Sequence, residues 1–243
     1  RSSGVTLTDI GLRLTDEVQQ GFEQIDRAVE EAGNARQQSV TLWVSTSFAM
    51  LWLMPRLALF KREHPLIEVR CHTNDTDRGV GRDEADVWVP LGRGPWPGLH
   101  EQKFCDETLI VVAAPSIARQ WDGATDEQLL DAPLLHLEQR FRPRFDWNQW
   151  FEHFGVTPPK RLGGYSSSDY SLIIQAAMEG HGLAIGWLHL VQDLIAEGRL
   201  QQVGTGSVAT DHPITVLTRS ERTGPATAAF VEWLLATAPG RPT

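Results

Sequence analysis

The chain has 243 residues, 41% of them hydrophobic, enough to bury one sizeable core or two modest ones without covalent staples. A formal net charge of -9 and scattered basic residues exclude the positive face with which proteins neutralise nucleic-acid phosphates, so these residues alone are expected to bind DNA poorly. The two cysteines, Cys71 and Cys105, have neither disulfide-framework nor zinc spacing and read as small buried hydrophobes. No apolar run nears the roughly 20 residues a bilayer span needs, and residues 1–5 lack the apolar stretch of an export signal. A cytoplasmic location without membrane contact is the expectation.

From Thr6 to Arg36 there is no proline, and apolar residues recur at Leu14, Val18, Phe22, Ile25 and Val29, spaced by 4, 4, 3 and 4. That spacing predicts one long helix with a coiled-coil stripe, capped by Thr8 and ended near Gly33-Asn34. Such a stripe needs a partner, either another copy or the rest of its own chain. Beyond Gln38 the pattern changes to short apolar strands alternating with helices. Strands are predicted at 39–45, 67–71 and 85–90, with a helix at 48–63 interrupted near Pro55. This βαβ opening predicts a parallel sheet. The theme then repeats: strands at 109–113, 134–137, 161–165 and 183–187, helical turns at 115–130, and helices at 146–154 and 169–179. A final strand at 213–218 and helix at 223–236 return to the first unit. The chain would thus form two α/β lobes and cross between them twice, an arrangement that acts as a hinge.

The sequence carries no signature of catalysis. There is no GxSxG elbow, Walker loop or HExxH, and the eight histidines share no metal-ligand spacing. Gly180, Gly182 and Gly186 superficially suggest a dinucleotide fingerprint, but they end a helix and enter a strand, the reverse of the order a pyrophosphate needs. No enzyme activity, metal or cofactor is expected. Ser45, Thr46 and Ser47 fall between the first strand and its helix, where hydroxyls and backbone amides either cradle a polar ligand or simply cap the helix. Nine tryptophans are many for this length. Trp147 and Trp150 share a helix face and read either as core or, for Trp147 with Trp88 or Trp187, as an aromatic wall between lobes that favours a quaternary ammonium or aromatic ligand. Asp169, after Ser168 at another strand-to-helix turn, either neutralises a cation there or caps its helix.

These residues carry a resemblance. Gly4-Val5-Thr6-Leu7-Thr8-Asp9-Ile10-Gly11, then Thr46 to Ala49 with Trp52 to Leu57, His64-Pro65, Ala85-Asp86-Val87, the stretch Gly92 to Leu99, and Ala176 to Ala184 follow in the order found in LysR-type transcriptional regulators. The Gly92 to Leu99 stretch is most similar to glycine-cleavage activators, and the Trp147/Trp150 pair resembles regulators of choline-sulfate or betaine use. The resemblance implies two Rossmann-like lobes of the periplasmic-binding-protein type, preceded by a long dimerisation helix. It implies a wing remnant of a winged helix-turn-helix at 1–5, a linker helix at 6–36, a first lobe at 39–104 and 208–243, and a second at 105–207. The implied partners are a small-molecule effector, DNA reached through a winged helix-turn-helix missing from this chain, and further copies in a homodimer or homotetramer. Placing strand ends at the interlobe crevice, where open α/β sheets bind ligands, selects Thr46, Ser47, Trp88, His136, Trp147, Ser168 and Trp187 as effector-binding candidates. The alternative from another class is the solute-binding protein of a transporter, which shares the architecture but would carry an export signal and no pairing helix.

Overall fold

The computed structural model describes residues 38–75, 85–91, 94–138, 145–219 and 223–240, together with 8, 10, 11, 14, 15, 18–22 and 24. The wing remnant at 1–5, Ile25 and Val29 of the expected stripe, and the expected stop at Gly33-Asn34 lie outside the described residues. In the N-terminal segment Ile10, Leu14, Val18 and Phe22 are helical. Thr8 caps them, its Oγ1 accepting from the Gly11 amide at 3.2 Å. All four apolar side chains are exposed, at 74, 63, 48 and 63%, and none belongs to the hydrophobic cores among the described residues.

Two five-stranded sheets follow. The first has the order β2-β1-β3-β10-β4, built from β1 (Gln38–Val44), β2 (Ile67–Thr73), β3 (Val87–Val89), β4 (His100–Cys105) and β10 (Ile214–Thr218). The second, β7-β6-β8-β5-β9, is built from β5 (Thr108–Ala113), β6 (Leu134–Leu137), β7 (Gly164–Ser167), β8 (Leu183–Trp187) and β9 (Gln201–Ala209). The expectation of a parallel sheet holds only in part. β1 runs parallel to β2 and β3, and β6 to β7 and β8. β10 runs antiparallel to both its neighbours, as does β5. The cause is the chain path: after β4 and after β9 the chain leaves one sheet for the other, and a strand arriving by such a crossing is not bound to a helix-linked parallel partner.

Helices cover the sheets. α1 (Thr46–Phe48) continues through a π-helical segment, Ala49–Leu53, into α2 (Met54–Glu63), so the interruption expected near Pro55 is a widened helical register just before it. α7 (Pro225–Ala236) packs beside this helix, with Phe60 edge-on to Phe230 at 5.1 Å and tilted against Trp233 at 5.1 Å. Trp52 completes that aromatic core, edge-on to Phe104 of β4 at 4.9 Å. In the second lobe α3 (Pro115–Ala118) follows β5, and α4 (Trp147–His153) starts at a capping box formed by Asp146 and Gln149. It buries Trp147, Trp150 and Phe151 against the sheet. α5 (Tyr170–Met178) buries Ile173 and Ile174, and α6 (Leu188–Ala196), which the sequence reading does not assign, buries His189, Leu190, Val191 and Leu194.

The two crossings lie side by side. Thr210 donates its amide to the Glu107 carbonyl at 3.1 Å and its hydroxyl to the Glu107 carboxylate at 2.5 Å. Above them the lobes touch through helices: Arg56 of α2 bonds Asp193 of α6 with both nitrogens.

Candidate functional site

The parallel strands of both sheets point their C-terminal ends at a cleft between the lobes, and the residue at or just beyond each end supplies its lining. Ser45 and Ser47 follow β1, Val89 ends β3 with Pro90 next, Leu137 ends β6 with Glu138 next, Ser168 follows β7, and Trp187 ends β8 with His189 in the first turn of α6. Phe48, Asp75, Glu107, Tyr170 and Ile214 complete much of the wall. About 870 Å³ of space not filled by protein lies here, counting the part open to solvent. Its position is that of the ligand crevice of open α/β sheets.

On the first-lobe side Ser45 is the N-cap of α1, its Oγ accepting from the Phe48 amide at 3.0 Å and lying 3.0 Å from Ser47 Oγ. Both serines are buried and line the cleft. Thr46 does not line the cleft; its amide and hydroxyl both donate to the Asp75 carboxylate, at 3.0 and 2.8 Å, fixing that wall residue. On the second-lobe side Tyr170 and Trp187 meet edge to face, with ring centroids 4.9 Å apart. The Tyr170 hydroxyl donates to the Ile185 carbonyl and accepts from the Trp187 amide, while the Trp187 indole N–H donates to Glu107 at 2.8 Å. Glu107 thus joins the aromatic wall to the hinge.

His189 lines the cleft while only 6% exposed, and its Nδ1 is buried without a hydrogen-bond partner. Burial pushes its pKa down to about 3, so the imidazole is neutral at physiological pH. Cys105, near the first crossing, has its thiol pushed up to about 12, by burial first and by Asp106 next, and is no nucleophile.

Of the seven candidates, the structure brings Ser47, Ser168 and Trp187 into one cleft. His136 and Trp147 line a smaller cavity behind it, which shares Leu137, Tyr170 and Trp187 with the cleft. Trp147 is 2% exposed and donates its indole N–H to the Leu135 carbonyl, a core arrangement. His136 bonds the Gly163 carbonyl. Trp88 is buried at a side pocket with Trp43, in a small cluster with Ala85 and Leu217. Asp169 caps α5, accepting from the Ser171 amide at 2.8 Å. The sequence reading misses Glu107, Glu138, Tyr170 and His189. A titratable residue next to an expected strand end was the available signal for Glu107 and His189. Among the described residues no group of His, Cys, Asp and Glu could hold a metal ion, and no helix is long and apolar enough to cross a membrane.

A family model described as the LysR substrate binding domain matches residues 33–239. The chain belongs to the LysR substrate binding domain family. Its relatives include the HTH-type transcriptional activator AmpR of Rhodobacter capsulatus, 32% identical over 83% of this chain and 68% of that protein. The glycine cleavage system transcriptional activator of Escherichia coli K12 is 30% identical over 82% of this chain and 65% of its own length. The chain therefore spans about two thirds of the length of these LysR relatives. Among solved structures, the AmpR effector binding domain from Citrobacter freundii superposes with a TM-score of 0.66 at 25% identity, over 82% of this chain and 98% of that one. The regulatory domain of CrgA from Neisseria meningitidis, at 16% identity and a TM-score of 0.62 over 83% of this chain and 99% of that one, shares the fold. The two-lobed architecture is thus that of LysR effector-binding regions, and the transporter alternative is not favoured.

Proposed function

We propose that the interlobe cleft is the site where this effector-binding region senses a small metabolite for a LysR-type transcriptional regulator acting in the cytoplasm. The observation that carries this reading is the convergence of Ser45, Ser47, Ser168, Trp187 and His189 from two sheets on one cleft beside a double crossing. Occupying such a cleft favours one lobe orientation over others by the ligand's differential contacts. Each wall supplies oriented polar groups on a rigid strand end, and no serine of the described lining is hydrogen-bonded to a histidine or carboxylate, an arrangement suited to binding a ligand. Operator contact belongs to a winged helix-turn-helix outside this chain, in keeping with the net charge of -9. Lobe movement reaches it through the N-terminal helix, whose exposed stripe pairs copies into a dimer or tetramer. The boundaries that suit this reading are a linker at 6–36 and lobes at 39–104 with 208–243 and at 105–207.

The test is thermal melting against a panel of small metabolites, with Ser47→Ala/Ser168→Ala as the control. A metabolite should raise the melting temperature of the wild type, and the double variant, with an unchanged apo melting temperature, should lose that rise. A rise that persists in the double variant places the site elsewhere.

A further inference from the structure

The described cleft lining holds three carboxylates, Asp75, Glu107 and Glu138, and no Lys or Arg. These carboxylates are not equivalent. Asp75 holds the start of the first-lobe helix through Thr46, and Glu138 accepts from Ser166 Oγ. Glu107 differs in position: Asp75 and Glu138 are exposed, whereas Glu107 is recessed between the Trp187 indole and the Thr210 hydroxyl, both neutral donors. Two neutral hydrogen bonds orient a carboxylate without cancelling its charge. Glu107 is half-buried, where water screens that charge less than at an open surface.

A second observation is independent of the carboxylates. His189 stands on the same wall, nine-tenths buried, with Nδ1 lacking a partner. A buried polar atom without a partner in a ligand cleft is a site awaiting one. A neutral imidazole can accept a hydrogen bond through one ring nitrogen, and it does not repel a positive ligand. Trp187 and Tyr170 line the same cleft, and aromatic π faces are electron-rich and attract cations. Carboxylate and aromatic rings on one wall give a potential that favours positive charge and disfavours an anion, and the neutral imidazole does not oppose it.

We propose that the cleft selects an effector bearing an ammonium group, docked on the wall formed by Glu107, Trp187 and His189. This rests on the cleft being the effector site and adds the chemical class of its occupant. The ammonium donates to the Glu107 carboxylate and to His189, and the serine hydroxyls across the cleft hold the polar remainder. Because Glu107 also bonds Thr210 on the second crossing, an occupant of this wall bears directly on the hinge.

The experiment uses the full chain labelled with ¹⁵N and follows the Trp187 indole N–H resonance, assigned through Trp187→Phe. It is titrated separately with n-butylammonium, n-butyrate and n-butanol, which share size and differ in charge. Butylammonium should shift the resonance saturably, and butyrate and butanol at the same concentration should not. Glu107→Gln, which keeps an acceptor for the indole, should weaken butylammonium at least tenfold. Should that variant fail to fold, the three probes on the wild type still decide. A saturable shift with butyrate and none with butylammonium overturns the ammonium assignment and leaves the cleft as effector site. Silence from all three probes also overturns it. Only a metabolite-induced rise in melting temperature that persists in Ser47→Ala/Ser168→Ala would remove the cleft reading itself.

Discussion

Arg56 of the first lobe grips Asp193 of the second through two bonds, at 2.6 and 2.9 Å, behind the cleft. The guanidinium is held on its own side as well: it donates to the Trp52 carbonyl at 3.2 Å and lies 4.9 Å from the Trp52 ring centroid. An arginine already ordered by its own lobe loses little entropy on gripping the other, so the pair acts as a latch. The side chains are 18 and 36% exposed, and solvent screening limits the gain. A double-mutant cycle with Arg56→Ala and Asp193→Ala should return a coupling of about 0.5–1 kcal/mol. Small-angle scattering of either variant should show a wider spread of lobe separations. A coupling of zero would assign lobe contact to helix packing alone.

The buried imidazole of His189 sets an acid limit on stability. Its folded pKa lies near 3, below the usual 6.5, through desolvation. Above pH 6.5 both folded and unfolded chains carry it neutral, and it contributes no pH dependence. Below 6.5 the unfolded chain takes up a proton that the folded chain refuses until about pH 3, so stability falls as pH drops through that window. The slope is about 1.4 kcal/mol per pH unit. Urea unfolding at pH 7.5 and 5.0 should show the wild type losing about 2 kcal/mol more than His189→Gln. Equal losses would mean that the imidazole protonates in the folded state.

Trp147 illustrates which part of the site the sequence conceals. Its spacing from Trp150 places both on one face of α4, yet spacing is silent on whether that face meets the cleft or the sheet. The structure shows it buried, with its N–H on the Leu135 carbonyl and its ring stacked on Phe151 at 5.7 Å. Trp147→Ala should therefore cost about 3–5 kcal/mol in urea unfolding. Trp147→Phe, which removes the indole bond to the Leu135 carbonyl, should cost about 0.5–1.5 kcal/mol. Ser168→Ala, at the cleft edge, should leave stability within about 0.5 kcal/mol. A tolerated Trp147→Ala would contradict the core placement.

Strand ends were the legible part of this protein. Val40, Leu42 and Val44 alternate toward the core, and Leu183 to Trp187 is a short apolar run after a glycine turn, so both carry their own signal. Ser47, Ser168 and Trp187 follow from those ends by the crevice rule. β9 does not announce itself: Gln201 to Ala209 is polar, contains Gly204 and Gly206, and is an edge strand ordered by pairing with β5. Glu107 stands beside an expected strand, but its role depends on Trp187 and Thr210, 80 and 103 residues away. Long-range polar partners leave no local pattern.

The exposed stripe of the N-terminal helix yields the remaining prediction. Leu14, Val18 and Phe22 recur at intervals of 4 and are 63, 48 and 63% exposed in a single copy. A second copy presenting the same stripe would bury all three from water, each large side chain gaining about 1.5–3 kcal/mol when fully covered. A charge placed in that seam would have to be buried unpaired or keep the helices apart, and either outcome removes the gain. Sedimentation at low micromolar concentration should therefore find the wild type associated and Leu14→Glu/Phe22→Glu shifted toward monomer. The lobes of both should melt at similar temperatures, because Leu14 and Phe22 belong to neither described hydrophobic core. A monomeric wild type would leave the stripe without its partner and would count against a pairing helix.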